Sequence, residues 1–466
     1  MEFESTNSFI NDDFLLENKF SKILFHEYAA NMPIIDYHNH LLPSVISENK
    51  NFSSINSAWL DEDHYKWRVM RALGIDENEI TGDASEKIKF NKWAEAVPMT
   101  VRNPIFHWTH LELKRYFNIN KLLQPSNSEE IFNQTNELIR KIKPVDLLVK
   151  FNVKTLCTTD DPIDDLLSHI KISNTENRLK VLPGFRPDEA LKISNENFIN
   201  YLDKLSLISD LKIDSYESLL ASLSKRIDYF HNNGCRISDH GLEHLYAEKY
   251  KKLEIEAIFN RRLFGKIPSK KEDFMFKSSL LFDLCKFYYN KGWTQQFHLG
   301  AIRNNNFYLL NKIGVDVGCD SIGDFSQAKI MSDFFNKLNS EGLLSNTIVY
   351  NLNPSMNEVF ATMIGNFSSS KVSMQFGTAW WYLDQKDGME KQINALSNMG
   401  VISKFIGMLT DSRSFLSFPR HEYFRRIICD MIGKDINKGI LPSDIKFFGK
   451  MIQDISYNNA DNYFKF

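Results

Sequence analysis

The chain has 466 residues, of which 43% are hydrophobic and 13% aromatic, and its formal net charge is -3 at pH 7. A chain of this length and composition can bury one or two large cores, so we expect a globular, enzyme-sized protein. Balanced charge offers no basic surface to a nucleic acid, and no apolar run is long enough to cross a bilayer. We therefore expect neither a nucleic-acid partner nor a membrane partner.

The cysteines indicate the compartment. They are five in number and lie far apart without a closely spaced pair: Cys157, Cys235, Cys285, Cys319 and Cys429. This usage favours reduced thiols over a disulfide framework. The first thirty residues also lack the basic start and continuous apolar core of a secretory signal, so we expect a cytoplasmic protein. No phosphate-binding or dinucleotide-binding glycine pattern is present, which predicts that no nucleotide cofactor is used.

Eight short apolar and β-branched runs recur along the chain, separated by longer stretches with helical spacing. In chain order they are residues 33–40, 153–160, 179–186, 235–240, 294–300, 347–353, 372–377 and 405–411. This alternation is typical of repeated βα units and predicts an α/β protein, a (β/α)8 TIM-type barrel. Chemistry in such a barrel is located where the strands end, so the residues that close each run are candidate site residues.

The first run closes with His38-Asn39-His40. Two side chains one residue apart on a strand point to the same side, so the pair can offer a metal two nitrogen ligands. Histidine is also an ordinary polar cap at strand ends. The pair alone therefore does not decide between the two roles.

Residues 41–152 separate the first two runs, whereas a plain βα unit needs only about 30 residues. The periodicity there is helical, so we expect one barrel domain over residues 1–466 with a helical insertion at about residues 43–148 that covers the barrel mouth. Tyr65 and Arg68 can reach a substrate from such a cover. The alternative is that they and His64 only pack the insertion on the barrel.

The remaining runs also close with polar side chains, namely Thr159 and Asp160, Arg186, Asp239 and His240, His298, Asn351 and Asn353, Gln375, and Asp411 with Arg413. Some of these can be simple caps. Thr159 and Asn353, for example, are suited to satisfying backbone groups at a turn between strand and helix.

Ten ordered motifs together resemble one known family. They are Asp36-Tyr-His-Asn-His40, His64-Tyr-Lys-Trp-Arg68, Thr158-Thr-Asp-Asp-Pro162, Phe185-Arg-Pro187, Ser238-Asp-His240, Gln296-Phe-His-Leu-Gly-Ala-Ile-Arg303, Gly318-Cys-Asp-Ser321, Gln375-Phe-Gly-Thr-Ala-Trp-Trp381, Leu409-Thr-Asp-Ser-Arg-Ser414 and Pro419-Arg-His-Glu-Tyr-Phe-Arg425. In this set the chain resembles, almost from end to end, the uronate isomerases (glucuronate isomerases) of the metal-dependent amidohydrolase superfamily. Thr378 and Tyr382 are mild departures from the more usual Ser and Phe.

The resemblance implies interconversion of D-glucuronate with D-fructuronate, and of D-galacturonate with D-tagaturonate. It also suggests a homo-oligomer, such as a trimer. An isomerase of this kind removes a proton beside a carbonyl, holds an enediol and returns the proton to the neighbouring carbon, so it needs a positioned base and something that polarises oxygen. A uronate additionally requires a cationic group that binds its carboxylate.

Asp411 is the candidate base, and it would share a metal with His38 and His40. Such a His/His/carboxylate set suits Zn²⁺ and tolerates Mn²⁺. Because a metal-bound carboxylate is a weaker base than a free one, we expect its proton transfer to depend on a loosely held metal or on a carboxylate oxygen left unligated. We also expect Asp239 and Tyr65 to share the transfer. His298 is a further ligand or a hydrogen-bond partner of the substrate oxygen, and the alternative is a buried histidine bonded to a carbonyl.

Arginine offers a planar fork that matches a carboxylate, so Arg186 and Arg413 are the first candidates for binding the substrate carboxylate. Trp381 is the candidate wall for the sugar carbons, with His64 as a further contact. If the strand continues, the adjacent Trp380 points the other way. Further arginines are expected mainly in salt bridges; these are Arg303, Arg420, Arg425 and Arg426.

Two rival functions remain open. A single-metal hydrolase of the same superfamily would use the cation to activate water. Against a two-metal hydrolase, the fourth run ends in Asp239 and His240 rather than in a lysine, and the sixth ends in asparagines. The second rival is a non-catalytic sugar-acid-binding protein on the same barrel, since a fold does not fix a function.

Overall fold

The computed structural model describes residues 9–466, and in this part of the chain it contains nine β-strands. They are β1 (Ile34–Asp36), β2 (Val153–Cys157), β3 (Lys180–Leu182), β4 (Ile237–Leu242), β5 (Thr294–Leu299), β6 (Ala301–Ile302), β7 (Ser321–Ile322), β8 (Thr347–Asn351) and β9 (Met374–Phe376). Strands β1-β2-β3 form one parallel sheet and β4-β5-β8-β9 another, while β6 and β7 form a small antiparallel pair.

Helices surround the strands and account for most of the remaining chain. They are α1 (Lys19–Ile23), α2 (Pro43–Glu48), α3 (Ile55–Trp59), α4 (His64–Ala72), α5 (Glu86–Ala96), α6 (Pro104–Phe117), α7 (Ser128–Ile139), α8 (Pro144–Lys150), α9 (Leu167–Thr175), α10 (Asp188–Leu191), α11 (Phe198–Ser209), α12 (Tyr216–Asn232), α13 (Lys252–Leu263), α14 (Lys270–Lys291), α15 (Phe307–Ile313), α16 (Ala328–Ser340), α17 (Asn357–Phe367), α18 (Lys386–Met399), α19 (Pro419–Asn437), α20 (Ile445–Gln453) and α21 (Asn459–Phe464). Shorter 3-10 turns are Glu77–Glu79, Val97–Thr100, Pro125–Asn127, Pro354–Met356, Trp381–Leu383 and Ile402–Lys404, and two π-helical turns are Leu24–Ala29 and Asp454–Asn458. None of the described helices is long and apolar enough to cross a membrane.

Local sequence explains where the helices begin and end. The longest, α14, begins at a capping box in which Ser269 and Glu272 bond each other's backbone N–H groups, and it ends at Gly292 in the left-handed region. Helix α4 begins where the Asp63 carboxylate accepts the backbone N–H groups of Tyr65 and Lys66. This cap fixes the helix that carries His64 and Tyr65.

Seven of the eight predicted runs contain an assigned strand within the described residues. The two parallel sheets adjoin at Phe185, which forms single bridges with Asp160 and Ser238. Strands β6 and β7 were not predicted, because a strand of two residues is too short to show an alternation of apolar and polar side chains.

The eighth predicted run, residues 405–411, follows β1 without forming a regular ladder. Its end is joined to the first run by two backbone hydrogen bonds, from Asp411 N–H to the carbonyl of His38 and from His40 N–H to that of Ser412. Just before them in both runs, the Asp36 carboxylate accepts both the N–H and the hydroxyl of Thr410, at 2.6 and 2.7 Å. A side chain therefore takes the place that a strand carbonyl would occupy.

Apolar side chains from several runs pack together below the polar strand ends. Ile35, Cys157, Ile237, Ile348 and Ile406 come from five different runs and belong to one buried cluster. A larger cluster fills the space between the strands and the helices. This packing fixes the backbone from which the polar side chains project.

Candidate active site

Five polar side chains from the strand ends meet at one place, and we call them the ligand cluster: His38, His40, Asp239, His298 and Asp411. Oδ1 of Asp411 lies 3.2 Å from Nε2 of His38 and 3.1 Å from Nε2 of His40. On the other side of His38, Nδ1 lies 4.0 Å from Oδ2 of Asp239. The spacing of the two histidines and the parallel strands thus bring together residues nearly four hundred positions apart.

Asp239 and His298 form a buried dyad within the ligand cluster. Oδ1 of Asp239 lies 2.6 Å from Nδ1 of His298, which orients the ring. Nε2 of His298 is buried and has no hydrogen-bond partner among the described residues. Tyr350 stacks on the same ring with centroids 4.0 Å apart. The imidazole is therefore held on two sides and leaves one nitrogen for a ligand or substrate.

Arg186 extends the polar network away from the ligand cluster. Its Nη1 lies 3.4 Å from Oδ2 of Asp239, and its Nε donates to Oδ2 of Asp188 at 3.0 Å. Asp188 also pairs with Nδ1 of His240 at 3.0 Å. A Cβ at Gly241 would overlap the Arg186 guanidinium. The absence of a side chain at Gly241 therefore makes room for this arginine.

Charge within the ligand cluster keeps both aspartates ionised. Burial raises the pKa of Asp411, but the hydrogen bonds from His38 and His40 outweigh it and hold that pKa well below its ordinary value. Burial acts on Asp239 in the same way, and His298, His38 and Arg186 together hold its pKa well below the usual range. Both carboxylates are thus available as anions at neutral pH.

The histidines respond differently to the same surroundings. Burial lowers the pKa of His40 to about 3, against the opposing effect of Asp411. Burial also lowers the pKa of His38, but Asp239 and Asp411 overcome this and raise it. For His298 burial prevails over Asp239, and its pKa falls below the ordinary value. His40 and His298 therefore favour the neutral form that binds metals or accepts protons.

Trp380 and Trp381 both border this site. The indole N–H of Trp380 donates to Oδ2 of Asp411 at 2.9 Å, and its ring lies 4.8 Å from that of His298. Strand β9 ends before the pair, and Trp381 has a left-handed backbone with φ of 52°. Because the strand does not continue, the two rings do not point to opposite sides as a strand would require.

Helix α4 places aromatic side chains against Trp381. Tyr65 and His64 stack with centroids 5.0 Å apart, and they lie 6.3 and 5.5 Å from the Trp381 ring. The Tyr65 hydroxyl is buried without a hydrogen-bond partner among residues 9–466. Burial and the Asp411 charge raise its pKa well above the ordinary value, so it is a neutral donor. Burial and Arg413 lower the pKa of His64 to about 4.

Residues 303–320, which we call the entrance segment, run past the cluster on the solvent side. Nη1 of Arg303 lies 3.0 Å from Oδ2 of Asp320, and its guanidinium faces the Trp381 ring at 4.9 Å. Nη2 of Arg413 lies 2.9 Å from Oδ2 of Asp316. Burial raises the pKa of Asp316, but Arg413 and Arg303 outweigh burial and lower it.

The structure brings together all the residues singled out as catalytic, metal-ligating or substrate-binding candidates, either in the ligand cluster or within the contacts around it. Other strand ends are caps: the Thr159 hydroxyl donates to the carbonyl of Asn39, and Asn353 accepts the N–H of Ser355. Sequence reasoning missed Asp188 and Asp316, and it chose Trp381 over Trp380. Of the three residues that it passed over, only Trp380 carried a signal, its place in the paired-tryptophan motif.

The donor atoms fit a divalent cation. One nitrogen or oxygen from each of His38, His40 and Asp411 lies within 4.8 Å of the others, and the same holds for His38, Asp239 and His298. Two imidazole nitrogens with a carboxylate oxygen are donors that Zn²⁺ and Mn²⁺ accept. The two sets share His38. Each set also lies near an arginine, since Arg186 is beside Asp239 and Arg413 acts on His40.

Comparison with known proteins identifies the family. A family model described as glucuronate isomerase matches residues 6–464. The chain belongs to the glucuronate isomerase family. Its relatives include the uronate isomerases of Flavobacterium johnsoniae, 52% identical and covering 99% of this chain and 100% of the relative, and of Phocaeicola vulgatus, 50% identical and covering 98% and 100%. The family resemblance found in the sequence is thereby confirmed.

Solved structures agree with the fold. The uronate isomerase of Thermotoga maritima superimposes with a TM-score of 0.93 at 31% identity, covering 98% of this chain and 100% of the other. Glucuronate isomerase from Caulobacter crescentus gives a TM-score of 0.91 at 23% identity over 98% and 97%, which shows the shared fold. The mixed α/β fold with parallel sheets is thus that of the uronate isomerases.

Proposed function

We propose that this chain is a uronate isomerase that interconverts D-glucuronate with D-fructuronate, and D-galacturonate with D-tagaturonate. It is an aldose–ketose isomerase that moves a proton between C2 and C1 through an enediol. The observation that carries the proposal is the meeting of Asp411 with His38 and His40 beside Arg413, in a chain 52% identical over its length to a uronate isomerase. The substrate is a small sugar acid.

His38, His40 and Asp411 would hold the divalent cation, with Zn²⁺ as the first choice and Mn²⁺ as the second. When bound, the cation polarises substrate oxygens and so acidifies the neighbouring C–H bond. No nucleotide cofactor is needed, because the oxidation of one carbon balances the reduction of its neighbour within the same molecule. The proton transfer itself falls to side chains of this protein.

Oδ2 of Asp411 is the oxygen that moves the proton between C2 and C1. Oδ1 faces both histidines, whereas Oδ2 is bonded only to the Trp380 indole among the described residues. The carboxylate thus divides its two oxygens between the ligand set and the substrate. Nε2 of His298, oriented by Asp239, and the unpaired hydroxyl of Tyr65 share the transfer to and from the substrate oxygens.

Arg413 and Arg186 supply the positive charge that binds the substrate carboxylate. Arg186 is held in place by Asp239 and Asp188, so it contributes a fixed charge at the inner side of the cavity. Arg413 has a buried Nε without a hydrogen-bond partner in the described part of the chain. Trp381 and His64 form the wall against the sugar carbons.

We further propose the architecture that completes this site. The runs form a closed (β/α)8 barrel, and Asp36 with the end of run 405–411 supplies the seam to β1. Helices α2 to α8, between β1 and β2, form the helical insertion of a single domain at about residues 43–148. A cytoplasmic homo-oligomer, such as a trimer, is the form that we expect, and five free cysteines support the compartment.

The test is to incubate the purified protein with D-glucuronate in D₂O and to follow ketose formation, deuterium at C1 of the ketose and deuterium at C2 of the recovered aldose. We expect ketose to form and solvent deuterium to appear, because an enediol exchanges its proton with the base. Failure to form ketose would refute the isomerase assignment, and ketose without any deuterium would leave a direct hydride shift or a proton shielded from solvent as the two remaining paths. In a separate incubation with a sugar lactone in H₂¹⁸O, solvent ¹⁸O incorporated into the product carboxylate would instead identify the single-metal hydrolase.

A further inference from the structure

Asp316 is a carboxylate placed among the positive groups of the active site. Its Oδ2 lies 2.9 Å from Nη2 of Arg413, and it also lies in the field of Arg303, His40 and His64. It comes from the entrance segment rather than from a strand end. An anionic group of the chain therefore occupies the place where the proposed function requires the anionic group of the substrate.

The pairing with Asp316 leaves the Arg413 fork incompletely used. A carboxylate ligand of an arginine commonly accepts two parallel N–H bonds. Asp316 accepts one of them, while Nε of Arg413 is buried without a hydrogen-bond partner in residues 9–466. An incoming carboxylate can engage both nitrogens. The present contact is therefore weaker than the one that a well-placed ligand would make.

The part of the entrance segment that carries Asp316 is built to move. No side chain of α15 is buried, and Phe307 and Tyr308 are 73% and 70% exposed. Gly314 and Gly318 flank Asp316, with φ angles of 111° and 84° that favour glycine. The Asp316 side chain itself is 45% exposed. Few apolar contacts would be lost if this part moved outward.

The end of the entrance segment is fixed by contrast. Arg68 donates to the carbonyls of Gly318 and Asp320, and Arg71 bonds the carbonyl of Val317. Asp320 in turn accepts the N–H of Asn304 at 2.6 Å. These bonds anchor the two ends to helix α4 and to each other. Movement is thereby confined to the residues between the anchors, which include Asp316.

We propose that Asp316 is an autoinhibitory carboxylate that occupies Arg413 in the free enzyme and is displaced by the carboxylate of the substrate. This inference rests on the proposed function, in which Arg413 binds that carboxylate. Displacement releases residues 306–316 from the site and exchanges one ion pair for another of the same kind. A ligand without a carboxylate cannot compete for Arg413 and so leaves Asp316 in place.

Competition of this kind lowers the apparent affinity by the fraction of molecules in which Arg413 is free. An exposed ion pair contributes up to about 1 kcal/mol, which corresponds to a factor of about five. Asp316→Asn and Asp316→Ala should therefore bind a sugar dicarboxylate about threefold to fivefold more tightly than the wild type. The KM for D-glucuronate should fall in the same direction.

The experiment uses the metal-loaded full chain and D-glucarate, a dicarboxylate without an aldehyde to isomerise. Its Kd is measured by calorimetry for the wild type, Asp316→Asn, Asp316→Ala and the control Asp333→Asn, which removes an exposed ion pair on α16. D-glucitol, an uncharged molecule with the same carbon chain, is compared as an inhibitor. We expect tighter glucarate binding only in the two Asp316 variants and equal inhibition by glucitol in all four proteins.

Hydrogen exchange of residues 306–316 gives an independent readout. Glucarate should increase exchange in this segment of the wild type, and free Asp316→Asn should already show the increase. Unchanged or weaker glucarate binding in the Asp316 variants would overturn the inference. Asp316 would then either have no effect on binding or hold Arg413 in position for the ligand. The proposed role of Arg413 is tested separately by Arg413→Met: if this change leaves glucarate affinity intact, the substrate-binding assignment itself has failed.

Discussion

The ligand cluster and the entrance segment are two parts of one site, and they are built in opposite ways. Asp239 and His298 are almost fully buried, and each touches several fixed partners from neighbouring strands. Asp316, in contrast, is 45% exposed and is joined to the site by one ion pair. The groups proposed to move protons are therefore held rigidly, while Asp316, which faces the arginine proposed to bind the substrate, is held by few contacts.

This difference follows from what each part has to do. Proton transfer requires donor and acceptor within hydrogen-bond distance, and small errors in position are costly. Admission of a charged substrate requires that a positive site be accessible and then occupied. A rigid set of strand ends meets the first need, and a segment with few apolar contacts meets the second.

The largest effect is expected from Asp411→Asn. The amide cannot accept the proton from C2, so kcat should fall at least about a thousandfold while glucarate binding persists within about tenfold. Steady-state kinetics and calorimetry measure the two quantities, and metal analysis of the variant separates loss of the base from loss of the ion. Asp333→Asn is the control, and wild-type turnover in Asp411→Asn would remove the assignment of the base.

The next effect is expected from the buried dyad. Asp239→Asn would present an amide N–H to Nδ1 of His298 and leave Arg186 without one of its carboxylates, so kcat should fall about a hundredfold. If Asp239 and His298 act as a unit, His298→Gln and the double variant should lose a similar factor. If the loss of kcat in the double variant equals the product of the two single losses, Asp239 and His298 act independently.

Trp380→Phe is expected to have a smaller effect. It removes the indole N–H that donates to Oδ2 of Asp411 at 2.9 Å but keeps an aromatic ring beside His298. The loss of one hydrogen bond to a charged group should reduce kcat about tenfold. Trp293→Phe is the matched control, because its N–H donates to His231 far from the ligand cluster. An equal loss of kcat in both variants would contradict the role given to Trp380.

The smallest effect on turnover, within about twofold, is expected at Asp160. Its carboxylate accepts Thr158 and Gly184 rather than facing the cluster, and burial raises its pKa from 3.8 to about 7. The folded protein therefore favours the protonated carboxyl of Asp160. Its contribution to the free energy of unfolding falls as pH rises from about 4 to 7 and is constant above that. Between pH 5 and pH 8, the unfolding free energy of the wild type should drop about 2 to 3 kcal/mol more than that of Asp160→Asn. Equal pH dependence in urea titrations would show that Asp160 is not buried as an acid.

The sequence was most informative in the strands, where the two-residue repeat determines the direction in which each side chain points. Alternation located seven strands, and the strand ends then supplied the ligand cluster, since parallel strands end at one edge. Asp316 could not be found in this way, because it lies on a turn with a left-handed backbone between two glycines. The irregular run 405–411 was predicted as a strand because its apolar pattern does not reveal that Asp36 replaces a backbone partner.

Asp36 has a wider consequence. It lies two positions before His38 and binds Thr410, the neighbour of Asp411, so one carboxylate sets the spacing between the two chain segments that carry the proposed cation donors. The His421 ring contacts the same carboxylate at 3.2 Å and braces it from helix α19. The proposed metal site is thus assembled by folding alone, through contacts that do not involve an ion. A chelator should therefore remove the bound metal without unfolding the protein, and added metal should bind again without a folding step.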